Sequence, residues 1–130
     1  GGSGPSYGAP PEMRIGNVAQ LADGTPVDMR ITAKGAYSPH DVNQNRIKGQ
    51  LAQINVLIGT TVEIRVAFVN SLTSALVVLE AFEFSVLDFD QQEDGAGREH
   101  VVSGDHDSYS VRRGTAPLIS VSGQSDGGAP

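Results

Sequence analysis

The chain has 130 residues with no cysteine and no tryptophan, and 15 acidic against 9 basic residues give it a net charge of −6. This length suits one packed domain, the lack of cysteine excludes disulfides and thiol chemistry, and the negative charge disfavours binding to nucleic acid or anionic lipid. No apolar run reaches the roughly 20 residues that span a membrane as a helix.

The first half of the chain predicts two strands. Residues 1–13 are rich in Gly and Pro without periodicity, so a flexible linker is expected there. A short strand is predicted at 14–21, and Asp23-Gly24 is a signal for a hairpin turn. Apolar and polar residues alternate from 27 to 34, which predicts a strand with one solvent-exposed face, followed by a polar loop at 35–46.

The second half predicts a hairpin and then a long strand. Residues 47–58, with a bulge or bend at Gly49, and residues 62–68 are expected to pair with each other, and 70–74 form a polar turn. A strand over 76–90 follows, with Phe82, Phe84 and Val86 on one face. Shorter strands are expected at 100–102, 109–111 and 118–121, before a flexible tail at 123–130.

These elements predict an all-β fold. About seven to eight strands without a convincing helix are typical of an antiparallel β-sandwich of jelly-roll or Ig-like type. The domain is expected to span residues 14–122, between the linker at 1–13 and the tail at 123–130.

The negative charge is concentrated between residues 88 and 107. Seven acids and one base give this segment a charge of −6, equal to that of the whole chain. Continued alternation along the strand places Asp88 and Asp90 on one side, about 7 Å apart, and carboxylates on a Gly-rich loop suit Ca²⁺. The predicted ligands are Asp88, Asp90, Glu93, Asp94, Asp105 and Asp107. The alternative is a solvated acidic turn.

Two further interpretations of polar residues stay open. The carboxylate pairs Glu80 with Glu83 and Asp88 with Asp90 suggest a hydrolase of glycosidase type, whose retaining form needs two carboxyl groups about 5–5.5 Å apart. The absence of Trp leaves little of an aromatic sugar platform, which disfavours an enzyme. The segment 37–41 would add a lectin-type ligand site beside the acidic loop, or it is an ordinary connecting loop.

Two segments resemble known modules. AFEFSVLDFDQQEDGAGREHVVSG and AYSPHDVNQNRIKGQLAQINVLIGTTVEIRVAFV are similar to β-sandwich modules of large surface or secreted proteins from marine microalgae and some bacteria. The likeness covers about residues 30–111 and includes the phrase F-x-F-x-x-x-D-x-D. It implies a non-catalytic, Ca²⁺-assisted binding or spacer role, with Asp88 and Asp90 at the matching positions.

The expected function is therefore that of an extracellular or cell-surface adhesion or spacer module. A glycan or another surface protein would be its partner, Ca²⁺ at the acidic loop would stabilise it, and neither nucleic acid binding nor membrane insertion is expected. The alternative function is the hydrolase.

Overall fold

The computed structural model describes residues 12–87, 99–103 and 108. These residues contain strands and one 3₁₀ turn, Val42–Gln44, and no α-helix. The strands are β1 (Glu12–Gln20), β2 (Pro26–Lys34), β3 (Arg46–Lys48), β4 (Leu51–Gln53), β5 (Glu63–Asn70) and β6 (Leu76–Val77). They form two antiparallel sheets, which confirms the all-β class.

The larger sheet has the strand order β1-β2-β5-β6, and β3 and β4 form a separate two-stranded sheet. The sandwich type and the predicted seven to eight strands stay a prediction. The domain bounds also stay a prediction, since residues 1–11 and 109–130 lie outside the described residues. Within the described part of the chain, there is no helix long and apolar enough to cross a membrane.

The hairpin between β1 and β2 confirms the predicted turn. The N–H of Thr25 donates to Oδ1 of Asp23 at 2.9 Å, and Gly24 has a φ of +88°, where a glycine avoids the strain of a side chain. Hydrogen bonds from the Thr25 side chain and backbone lower the pKa of Asp23 below its ordinary value. The short polar turn thus holds the start of β2 against the end of β1.

One face of the larger sheet is apolar. The register places Ile15 opposite Met29 and Met13 opposite Ile31, so these side chains share a face with Val27. Met13, Ile15, Val27 and Ile31 are buried. Four of the five buried apolar residues therefore lie on this face, whereas the fifth, Val69, lies opposite Asp28 on the other face. Strands β3 and β4 contact β1.

The predicted hairpin between residues 47–58 and 62–68 is wrong. β5 pairs with β2 along its whole length, from Val27 opposite Asn70 to Lys34 opposite Glu63. β3 and β4 instead pair with each other around a turn at Gly49, whose φ is +61°. The glycine marks a chain reversal rather than a bend within one strand, so no strand continues through 54–62.

The predicted strand at 76–90 is confirmed only at β6. Residues 78–87 form no strand, and 88–90 lie outside the described residues. Pairing of β6 with β5 is limited to Val77 opposite Phe68 and Leu76 opposite Val69. The predicted strand at 100–102 is also wrong, because residues 99–103 have no strand structure. The predicted strands at 109–111 and 118–121 lie outside the described residues.

The apolar pattern changes phase after β6. Val77 and Leu79 are odd-numbered, whereas the later apolar residues Phe82, Phe84 and Val86 are even-numbered. A regular strand cannot turn both sets to one face, and the chain bends at residue 80. Phe82 then packs edge-on against Phe68, with 4.8 Å between ring centroids and 67° between ring planes.

Candidate functional site

The six carboxylates predicted to bind Ca²⁺ all lie outside the described residues. They are Asp88, Asp90, Glu93, Asp94, Asp105 and Asp107. Within residues 12–87, 99–103 and 108, no group of three or more His, Asp or Glu side chains is arranged to hold a metal ion. The calcium site therefore stays a prediction based on the composition of residues 88–107.

The strand count that placed Asp88 and Asp90 on one side has lost its structural basis. That count assumed unbroken alternation from residue 76, whereas the chain has no strand from 78 to 87 and bends at residue 80. The acidic composition of 88–107 does not depend on that strand, because a Ca²⁺ site can be built from loop carboxylates.

Two of the four carboxylates considered for a hydrolase, Glu80 and Glu83, are exposed. Glu80 and Glu83 lie in the segment between β6 and the acidic residues, which has no strand structure. Exposed neighbours in this segment include Phe82, at 60% exposure, and Phe84, at 45%. The second pair of this interpretation, Asp88 and Asp90, lies outside the described residues.

The loop at 37–41 is held by hydrogen bonds to its own surroundings. The hydroxyl of Tyr37 donates to Oδ1 of Asn45 at 3.2 Å and also to the C=O of Asn55. The N–H of Asp41 donates to Oδ1 of Asn55 at 2.8 Å, and Oδ1 of Asp41 accepts the N–H of Asn43 at 2.9 Å. These contacts favour the interpretation as a connecting loop, because the Tyr37 hydroxyl and Oδ1 of Asp41 already have partners within the fold.

Asn45 is the centre of this cluster, and sequence reasoning missed it. The residue is 1% exposed, and its Oδ1 also accepts the N–H of Asn55 at 2.7 Å. A flipped amide would turn Nδ2 toward that N–H, so the hydrogen bonds fix the side-chain orientation. In this orientation Nδ2 is a buried donor without a hydrogen-bond partner among the described residues. An Asn before a short strand gives no sequence signal of such burial.

Burial also affects the ionisation of Tyr37. Removal of its hydroxyl from water raises the pKa of Tyr37, and the hydrogen bond with Asn45 offsets part of that rise. The phenol is therefore held in its neutral form, in which its single proton is shared between the two oxygens described above.

A second polar network ties β1, β2 and the turn after β5 together. Nε of Arg14 contacts Oδ2 of Asp28 at 2.7 Å, and Oδ1 of Asp28 accepts the N–H of Asn17 at 3.0 Å and the hydroxyl of Ser71. Arg14 also donates to Oγ of Ser74 at 2.9 Å. Asp28 is only 7% exposed, although the alternation places it on the polar face of β2.

The acids of the described sheet are mostly engaged in such structural contacts. Asp28 pairs with Arg14, Glu63 pairs with Lys34 at 2.8 Å, and Glu12 lies 3.9 Å from Arg30. Asp23 and Asp41 accept backbone N–H groups in turns. Five of the seven acids between residues 12 and 87 therefore have partners within the fold, and the other two are the exposed Glu80 and Glu83.

A comparison of the chain with protein-family models, with curated protein sequences and with solved structures finds no match in any of the three.

Proposed function

We propose that the protein is a non-catalytic β-sandwich module of an extracellular or surface protein, in which carboxylates of residues 88–107 bind Ca²⁺. It serves in adhesion or as a spacer, and a glycan or another surface protein is its partner. The proposed ligands are Asp88, Asp90, Glu93, Asp94, Asp105 and Asp107.

The observation that carries this proposal is a difference in charge balance between the acids of the sheet and those of residues 88–107. The acids of β1, β2 and β5 have basic partners within the sheet. The seven acids between 88 and 107 have a single base in their own segment. Clustered carboxylates repel one another, and a bound divalent cation turns that repulsion into favourable contacts.

The two-layer architecture is supported by the exposure of the apolar face. An antiparallel sheet with one apolar face is stable when a second layer covers that face. β3 and β4 contact β1, whereas Ile64 on the apolar face of β5 remains 38% exposed and Leu51 on β4 remains 59% exposed. A second layer packed over the apolar face of β5 would complete a sandwich.

Calcium titration of thermal stability tests the metal proposal. A ligand that binds only the folded state stabilises it by about 2.7 kcal/mol when its concentration is one hundred times Kd. At this chain length about 1 kcal/mol shifts Tm by roughly 4 °C, so Ca²⁺ should raise Tm by roughly 10 °C and a chelator should reverse the shift. Asp88→Asn/Asp90→Asn should lose most of the response.

A matched control separates specific binding from general screening of charge. Glu80→Gln/Glu83→Gln removes the same amount of charge from exposed carboxylates close in sequence, and it should keep the full response to Ca²⁺. An unchanged Tm of the native chain in Ca²⁺ would rule out the proposal, as would an equal shift in Mg²⁺ and Ca²⁺ that both double variants retain.

A further inference from the structure

Among the described residues, one edge of β5 is open for most of its length. β2 pairs with the opposite edge from Glu63 to Asn70, whereas β6 reaches only Phe68 and Val69 on this edge. In the part of the chain that the structure describes, residues 63–67 therefore have no strand beside them on that side. An uncovered strand edge presents a row of hydrogen-bonding groups with which another strand can pair.

The hydrogen bonds at the end of this edge identify the unpaired groups. The N–H of Asn70 donates to the C=O of Ala75, on the β6 side, at 2.8 Å. Backbone groups of a strand alternate between its two edges, so Ile64 and Val66 direct theirs to the same side as Asn70. No backbone hydrogen bond takes up these groups among the described residues. Each residue thus offers one donor and one acceptor.

The side chains along the open edge are sorted by face. Ile64 and Val66 lie on the apolar face, and Ile64 is 38% exposed. Glu63 and Arg65 lie on the polar face, two residues apart and opposite in charge. Glu63 contacts Lys34 on β2, whereas Arg65 is exposed and makes no ion pair within the described residues.

We propose that the protein forms a two-fold symmetric dimer in which the open edge of β5 pairs antiparallel with the same edge of a second copy. The two-fold axis passes beside Ile64, which lies opposite the partner's Ile64. In this register Glu63 lies opposite the partner's Arg65, and Arg65 lies opposite the partner's Glu63. An isologous interface forms both pairs at once, and opposite charges directly across an antiparallel strand pair are stabilising.

The charge pattern distinguishes this register from the others on the same edge. Hydrogen bonding requires even-numbered residues to lie opposite even-numbered residues. An axis beside Arg65 would place the two copies of Arg65 opposite each other, and an axis beside Glu63 would place the two copies of Glu63 opposite each other. Like charges in directly opposed positions are destabilising. An axis beside Val66 would require Phe68 to pair with the partner, yet Phe68 already pairs with Val77.

The pairing would also extend the apolar face. Strands β1, β2 and β5 of both copies would form one continuous sheet, with Ile64 opposite the partner's Ile64 and Val66 opposite the partner's Val62 at its centre. Side chains on one face of neighbouring strands bury one another, so the exposed part of Ile64 would become covered. A second copy thus satisfies both the backbone groups and the apolar side chains of this edge.

Charge reversal at single positions tests the proposal. Arg65→Glu places like charges opposite each other in both pairs, and Glu63→Arg does so with the opposite sign. Each variant alone should dimerise at least about tenfold more weakly than the native chain, because two favourable pairs become unfavourable. An equimolar mixture of the two variants should form a heterodimer, since each introduced side chain again faces one of opposite charge. Sedimentation equilibrium over a concentration series measures the dimerisation of the native chain, of each variant alone and of the mixture.

The controls separate the interface from folding and from net charge. Lys48→Glu changes the net charge by the same amount as Arg65→Glu at an exposed position on β3, and it should leave dimerisation unchanged. Circular dichroism and melting curves establish that each variant is folded. A folded native chain that stays monomeric throughout the concentration series overturns the proposal. A mixture in which no heterodimer forms overturns the register.

Discussion

Substitution of Asp28 is expected to destabilise the sheet more than substitution of any exposed carboxylate. Its carboxylate accepts Nε of Arg14 at 2.7 Å, the N–H of Asn17 at 3.0 Å and the hydroxyl of Ser71. Arg14 lies on β1, Asn17 lies where the β1–β2 register is irregular, and Ser71 lies in the turn after β5. Asp28→Ala removes the acceptor of all three, whereas Asp28→Asn keeps the shape and removes the charge.

The magnitude follows from the number of donors and from their access to water. A hydrogen bond to a charged group contributes about 1.5–3 kcal/mol, and contributions within one network do not add. The Arg14 side chain is 26% exposed, so water replaces part of its lost contact. We expect Asp28→Ala to lower the free energy of unfolding by about 2–4 kcal/mol and Asp28→Asn by about 1–2 kcal/mol. The larger loss corresponds to a fall in Tm of roughly 8–16 °C.

The same carboxylate should give the stability a dependence on acid pH. Burial raises the pKa of Asp28, but hydrogen bonds from Ser71, Asn17 and Arg14 and the charge of Arg14 outweigh burial, so the pKa is lowered overall. A group with a lowered folded pKa stabilises the protein above its unfolded pKa of about 3.9, and this contribution is lost as pH falls through the folded value. The stabilities of the native chain and Asp28→Asn should therefore converge below about pH 4.

Urea unfolding followed by circular dichroism, from neutral to acid pH, measures both effects. Asp23→Asn is the matched control, because Asp23 also accepts a backbone N–H but is exposed, and it should change stability less than Asp28→Asn. Equal stability of Asp28→Asn and the native chain at pH 7 would refute the assignment of Asp28 as an anchor. A difference that persists undiminished in acid would refute the assigned role of its charge.

Two further predictions concern the loops. Tyr37→Phe should cost about 1 kcal/mol at neutral pH, because the hydroxyl donates to Asn45 and Asn55. Burial raises the pKa of Tyr37, so the native chain should lose stability above the unfolded value of about 10, and urea unfolding in alkali should show that Tyr37→Phe lacks this loss. Gly24→Ala should cost about 1–2 kcal/mol of stability, because its φ of +88° is strained for a residue with a side chain. No clash adds to this cost, since the new Cβ meets no atom closer than 4.0 Å. Gly24→Asn should cost less in the same melts, since Asn tolerates positive φ.

The sequence predicted the central strands because their alternation is local and regular. The pattern from 27 to 34 corresponds to β2, and the pattern around 62–68 corresponds to β5. The pairing of β2 with β5 was missed, because strands that follow each other in the sequence are expected to pair. That expectation made residues 47–58 the predicted partner of β5. Here β3 and β4 turn back on each other at Gly49, which leaves β5 to pair with β2.

The burial of Asp28 could not be predicted from its own strand. The alternation placed Asp28 on the polar face, and the structure agrees on the face. Asp28 is nevertheless buried, because Val69 lies opposite it on β5 and Arg14 and Asn17 approach it from β1. Asn17 does so with a φ of +55°, at an irregularity in the β1–β2 register that no residue pattern signals.

The candidate calcium site was predicted from composition, and its geometry rested on the phase of a strand. Composition is additive, so a segment with seven acids and one base is negatively charged whatever its conformation. The phase of a strand is cumulative, since a slip of one residue reverses the face of every later residue. Because residues 78–87 form no strand, no alternation extends to Asp88 and Asp90, whereas the negative charge of residues 88–107 is unaffected.

The two proposals both act through charge, but over different distances. Two copies of net charge −6 repel each other, and this repulsion acts over distances at which salt screens it, with a Debye length of about 8 Å at physiological ionic strength. Glu63 and the partner's Arg65 would lie in directly opposed positions, closer than that length, where screening is weaker. Moderate salt therefore weakens the repulsion between the two copies more than the attraction between Glu63 and the partner's Arg65. Low salt strengthens the repulsion more than the attraction. Calcium bound at 88–107 would reduce the net charge of each copy, so by linkage it would strengthen dimerisation most at low salt.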